Sequence, residues 1–494
     1  MFKRFLAAVL LALGCGFVPA LAQKPDPQQI VELRRLRDEL KATDSLRAAD
    51  AVVVISERAV VEAAQQFIGL EIKMASGNVV KLTSIESRLA TGAAIVKLGL
   101  QYKSVNLQLT GRIASGQISD GQMKMPIRVT EVKLLNGGVS GLLVKTMFGE
   151  WLKPDKWNEE LPSLDLPLEL NEAMEIPASQ FTVGSSGDNN ASGGENQSLP
   201  VEISTPAYKA PLKLTLSSLL VMDKRVVLAL QINSMVSAAK PVAESASNPQ
   251  DVVALENEIF QLGALLTTDS DVRLRLGRNV LGSLLANIAG QQNPDMNFKL
   301  KQGRVRTNEI NAGISITNYT DVESGEGQAD ISELNVETIA DNKINVRLSG
   351  QGVVDARVKG KEFGVPYGLS PRTNFTVKDQ LVPLEFLSDN GKAIFRAVPG
   401  STLPINLRFA LTVAGKEIGV NRSEAVQIDR WLNRIELPAL LNREILLPRK
   451  MEIDDGSNIH TTEKKKLNYT LSNLRVATGN DALELFADVR LSPQ

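Results

Sequence analysis

The sequence predicts an α+β fold made of two tandem repeats, mostly antiparallel sheet with a few helices. Three observations carry this. The same landmarks occur twice in the same order. Pro27-Gln28 opens an apolar-rich segment, and Pro249-Gln250 opens another. Trp151-Leu152, Glu160-Leu161-Pro162 and Met174-Glu175-Ile176 return as Trp431-Leu432, Glu436-Leu437-Pro438 and Met451-Glu452-Ile453. Thr215-Leu216-Ser217-Ser218-Leu219 returns as Thr470-Leu471-Ser472-Asn473-Leu474. Such self-similarity marks a duplicated unit. The second observation is alternation. Residues 105–110, 123–130, 212–217, 272–276 and 405–413 alternate apolar with polar, and a period of two puts one face on an interior and the other in water, as antiparallel sheets do. The third is a small set of segments with helical spacing.

In chain order, residues 1–22 have the parts of a cleavable secretory signal: Lys3 and Arg4, a short apolar run, then Ala20-Leu21-Ala22 before the expected cleavage. That run is too short to span a bilayer, which takes about 20 residues. Lipidation at Cys15 is the less favoured alternative, because Ala12 stands where a lipoprotein signal has a large aliphatic residue. Residues 23–50 form an N-terminal helical segment. Within 28–42, Ile30, Leu33, Leu36 and Leu40 recur at helical steps. Repeat 1 covers 51–236. It opens with a strand that runs into a helix over 57–68, capped by Ser56. A flexible loop rich in Gly, Ser and Asn is expected at 184–198, and a junction at 237–249. Repeat 2 covers 250–494, with a leading helix at 250–266, the strand 272–276 and a helix over 278–288. Segments 142–152 and 423–434 also read as helical. Each repeat is long enough for its own core.

The reactive inventory is thin. The chain has one histidine, His460, and one cysteine, Cys15, lost if the signal is removed. That leaves no disulfide, no thiolate nucleophile and no histidine-rich metal site. The absence of disulfides with a bacterial-looking signal favours the periplasm. Removing Lys3 and Arg4 takes the net charge from −1 to −3, so there is no basic footprint for nucleic acid. No phosphate-binding loop occurs. His460, the carboxylates Asp269, Asp271, Asp454 and Asp455, and Lys464 to Lys466 read as solvated turns or loops. Trp151, Trp157 and Trp431 read as packing residues. No catalytic residue, metal ligand or cofactor is indicated, and the chain is expected not to be an enzyme.

What remains is an apolar inner face. In repeat 1 it consists of Val105, Leu107, Leu109, Met123, Met125, Ile127 and Val129, with Val61, Ala64 and Ile68 on the helix. In repeat 2 it consists of Ile405, Leu407, Phe409, Leu411 and Val413, with Leu281, Leu284, Leu285 and Ile288 on the helix. The pattern fits either a solid core or the wall of a groove.

A strand entering a helix at Val52 to Val61, followed by long strands at 94–102, 105–113 and 121–132, resembles the tubular lipid-binding (TULIP) superfamily. Its members include the bactericidal/permeability-increasing protein and the synaptotagmin-like mitochondrial lipid-binding domains. The resemblance covers about 51–236 and 270–491 and rests on element order and duplication, not on a diagnostic motif. It implies a long, highly twisted antiparallel sheet wrapped around a helix in each repeat, an elongated molecule, and an apolar groove for acyl chains. The implied function is periplasmic lipid binding or lipid transfer between inner and outer membranes, with transient membrane contact. The alternative is an envelope structural or adaptor protein that binds a protein partner through its sheets or through the Leu stripe of helix 28–42.

Overall fold

The computed structural model describes residues 27–41, 49–73, 77, 79–102, 105–119, 122–135, 149, 152–160, 163–176, 179–183, 201–205, 208–232, 252–263, 266–282, 296–300, 303–311, 315–362, 365–369, 372–389, 392–413, 416–429, 435–436, 443–453, 459–479 and 481–493. The expected signal, loop 184–198 and junction 237–249 lie outside these residues, as does most of 142–152.

Helices are few: α1 (Pro27–Lys41), α2 (Glu57–Gln65), α3 (Pro154–Glu160) and α4 (Val252–Leu262), plus a helical start at 278–282. The first half contributes strands β1 (Ala51–Ser56), β2 (Glu71–Lys73), β3 (Val79–Ala90), β4 (Ala93–Tyr102), β5 (Val105–Ala114), β6 (Gln117–Ser119), β7 (Gln122–Leu134), β8 (Ser163–Pro167), β9 (Glu169–Ile176), β10 (Ser179–Val183), β11 (Val201–Thr205), β12 (Tyr208–Met222) and β13 (Arg225–Ile232). The second half contributes β14 (Val272–Gly277), β15 (Met296–Leu300), β16 (Gly303–Asn311), β17 (Ser315–Ala340), β18 (Lys343–Glu362), β19 (Val365–Leu369), β20 (Arg372–Asp389), β21 (Lys392–Ala397), β22 (Thr402–Val413), β23 (Lys416–Gln427), β24 (Ile435–Glu436), β25 (Arg443–Ile453), β26 (Ile459–Gly479) and β27 (Ala482–Pro493). The chain is therefore sheet-rich, as the alternation predicts. Among the described residues, pairing is antiparallel except that β2 lies parallel to β25.

The halves do not build separate sheets. One 15-stranded sheet runs β6-β7-β5-β4-β3-β2-β25-β26-β27-β14-β1-β13-β12-β9, with β8 against β7. At its middle, β1 pairs β14, with β13 on the far side of β1 and β27 on the far side of β14. The second sheet joins β10 and β11 of the first half to β15 through β24. One core joins Leu447 and Leu467 to first-half residues, while the cluster around Ile339, Val346 and Leu384 is built from second-half residues alone. Backbone groups of β1 and β2 find partners in second-half strands β14 and β25.

Hydrogen bonds at this seam come in matching pairs. The Ser56 N–H donates to the Asp271 carbonyl (2.8 Å), and the Gly277 N–H donates to the Asp50 carbonyl (3.0 Å). The Glu57 N–H donates to the Lys224 carbonyl (2.8 Å), and the Arg278 N–H to the Asp481 carbonyl (3.1 Å). Lys224 and Asp481, each in a hairpin turn, have φ of +59° and +57°. Both copies of the Thr-Leu-Ser-x-Leu landmark carry a bulge, between Leu216 and Ser218 and between Ser472 and Arg475.

Two layers of apolar packing flank the first-half sheet. On one side α2 fills the interior. Ser56 caps it by accepting from the Ala59 N–H at 3.2 Å, and Val60, Ala63 and Ala64 are buried. On the other side α1 and α4 cover β1, β12 and β13. Leu33, Leu36, Leu40, Leu255 and Ile259 pack on Val52, Val54, Leu220, Met222 and Val227.

Three expectations are corrected. Residues 423–427, expected to be helical, belong to β23, where twelve residues pair with β22 and override local helix preference. Lys464 to Lys466 and His460 lie in β26, not in turns. Lys464 and Lys466 are exposed, while Lys465 and Leu467 alternate inward, so a lysine stem takes an inner position. Helix α2 ends at Gln65, short of Ile68, and the chain turns through Gly69 at φ +91°.

Candidate functional site

The apolar candidates of the first half divide by burial. Met123 and Met125 are 1% and 0% exposed and pack with Leu89, Ala94, Leu216 and Val60. Ala64 is also fully buried. A side chain with no accessible surface cannot line a cavity wide enough for a water molecule, so these three belong to a solid core. Leu107, Leu109 and Val129 are buried around Phe67, Trp157, Leu447 and Leu467. Val61, Val105 and Ile127 are half-buried. Ile68 is 45% exposed, because it lies in the turn beyond the end of α2.

In the second half, Leu281 is half-buried against a cluster built on Ile339, Ile344, Val346, Val382 and Leu384. Leu284, Leu285 and Ile288 lie outside the described residues. Strand β22 is described, but the side chains of Ile405, Leu407, Phe409, Leu411 and Val413 are not. A further set of apolar residues was missed by sequence reasoning. Leu276, Leu334, Val336, Leu348, Phe386 and Val476 pack against this cluster and all remain half-buried. Their alternation in β14, β17, β18, β20 and β26 was the signal that could have found them.

The Leu stripe of α1 is not available to a partner. Leu33, Leu36 and Leu40 are 0% exposed, buried by the chain's own sheet and α4. Lys41 adds an ion pair to Glu258 at 2.5 Å. The observation that favoured an adaptor is thereby absorbed into the fold. Helix α3 was also missed, although Pro154 and Asp155 are a helix-start signature. Its Trp157 is buried. Its Asn158 accepts from the Val129 N–H (2.6 Å) and donates to the Val129 carbonyl (3.1 Å), beside a register shift in β7.

Polar groups concentrate at the seam. Asp271, expected in a solvated turn, is 2% exposed. Its carboxylate accepts from Arg58 Nε (2.7 Å), Ser56 Oγ (3.0 Å) and the Val489 N–H (3.0 Å). Asp488 accepts from Arg58 (3.1 Å) and Asn473 (2.7 Å). The hydrogen bond from Asn473 holds the Asp488 carboxyl below the usual range, helped by the Asp271 N–H and the Arg58 and Arg475 charges. This arrangement joins the start of α2 to the start of β14, β26 and β27. Elsewhere Lys465 Nζ donates to the Gln66 carbonyl, and burial lowers its pKa, helped by Arg449. Among the described residues no cluster of His, Cys, Asp and Glu is placed to hold a metal ion, and no helix is long and apolar enough to cross a membrane.

No protein-family model and no curated protein matches the chain. Among solved structures, a crystal structure of lipopolysaccharide binding protein is similar over 90% of this chain and 99% of that one, at 11% identity and a TM-score of 0.24. A score of that size ties the chain to neither its fold nor its ligand.

Proposed function

We propose that the chain is a non-enzymatic lipid-binding protein that holds acyl chains on apolar inner faces of a duplicated, tubular scaffold. The observation that carries this reading is the row of half-buried apolar residues in the second half. Leu276, Leu334, Val336, Leu348 and Val476 sit against a core yet keep accessible surface. That accessible apolar surface is what an acyl chain would cover in this reading. Each methylene placed there gains about 0.8 kcal/mol, so a long chain is held without directional chemistry. The first-half interior, closed by α2, supplies rigidity in this account. The duplication is supported by the paired seam bonds and by a register shift within or next to each Thr-Leu-Ser-x-Leu landmark, one residue or more apart in position.

In this reading the signal at 1–22 delivers the protein to the periplasm. There it carries lipid between inner and outer membranes through transient membrane contact. The test is organic extraction of the purified protein, comparing the intact sequence with Val336→Trp, which fills the groove, and with Met125→Leu, which conserves core volume. Val336→Trp should reduce recovered lipid severalfold, and Met125→Leu should leave it unchanged. Equal recovery from both variants would remove the second-half groove.

A further inference from the structure

Strands β15, β17, β18 and β20 carry a polar trough of about 960 Å3 on the second sheet. Strand register arranges its side chains in cross-strand rows. One row reads Lys299, Glu326, Asp355, Arg372, and the next reads Asn297, Gln328, Val353, Asn374. The charged row has a cation at each end and two carboxylates directly opposite one another in the middle. Like charges in that position destabilise a sheet. The end pairs offset this only in part, since Lys299–Glu326 is 3.7 Å, Arg372–Asp355 is 3.9 Å, and all four side chains are exposed. The floor is fixed from behind. The Phe375 ring lies so close to Gly352 that a Cβ there would meet Cζ at 2.3 Å.

The geometry points to a saccharide-binding site, independent of the lipid reading. The trough offers acceptors on Glu326, Asp330 and Asp355, donors on Lys299 and Arg372, and amides that do both. Paired carboxylates accept from neighbouring hydroxyls, which also accept from the amide and cationic N–H groups. An anion meets three carboxylates, and an apolar chain finds little apolar surface. A neutral polyhydroxylated ligand meets the charged row and the amides Asn297, Gln328 and Asn374 of the next, with Val353 between them.

The test uses the full-length mature protein on an array of neutral oligosaccharides. In parallel it uses phosphatidylcholine vesicles with and without a galactosyl diacylglycerol. Binding in either arm supports the site, and the arm that binds tells a free glycan from a lipid headgroup. The double variant Glu326→Ala, Asp355→Ala removes the like-charge pair without touching the core and should weaken binding at least tenfold at a melting temperature that does not fall. Hydrogen exchange of the intact protein should show protection in β17, β18 and β20 when the bound saccharide is added. No binding in either arm, equal binding by the variant, or protection confined to other strands would overturn the assignment.

Discussion

A buried carboxylate needs donors for both oxygens, and Asp271 draws them from two places: Ser56 and Arg58 at the start of α2, and the backbone of β27. Removing it strands those donors across the seam. Asp271→Ala should cost about 3 kcal/mol, seen as a lower urea midpoint at unchanged slope. The Arg278–Asp481 pair elsewhere on the seam is exposed, at 42% and 49%, so Asp481→Ala should cost under about 1 kcal/mol in the same measurement. Acid should act through Asp488. A carboxyl whose folded pKa is depressed adds stability above its unfolded pKa of about 3.9, and that stability is lost as pH falls through the folded value. Melting temperature should therefore hold above about pH 5 and fall below about pH 4, and Asp488→Asn should shrink the fall.

At the scale of elements, period-two alternation was readable because most strands put one face on a core, so the long strands of the first half appear close to the expected positions. Helices α1, α2 and α4 were readable from apolar spacing and the Ser56 cap. Residues 423–427 were not, because long-range pairing with β22 decides their state. Nor was the inward place of Lys465, since a charge run reads as solvent from sequence alone. The role of the α1 stripe was equally hidden. A Leu stripe looks the same whether it faces a partner or its own sheet, and only the placement of Val52, Val54 and Leu255 beneath it decides. Leu36→Ala should cost about 2–5 kcal/mol, measured by denaturant unfolding, because that side chain is fully enclosed.

At the scale of the whole molecule, the recurring landmarks were visible in sequence, but the interlocking of the two halves was not. The β1–β14 pair, the β2–β25 pair and the core in which Leu447 and Leu467 pack with Phe67, Leu107 and Leu109 tie the halves together. Residues 23–240 and 241–494 expressed apart should each fail to give a cooperative melt, whereas co-expression should restore one. The inner faces left half-buried by this arrangement carry the central claim, that the scaffold exists to hold lipid. Native mass spectrometry of the mature protein from its secreting host tests it most directly. The account predicts excess mass over the polypeptide that is released on denaturation and identified as acyl lipid. Protein that repeatedly matches the mass of the bare chain, and takes up no lipid from added vesicles, would contradict it.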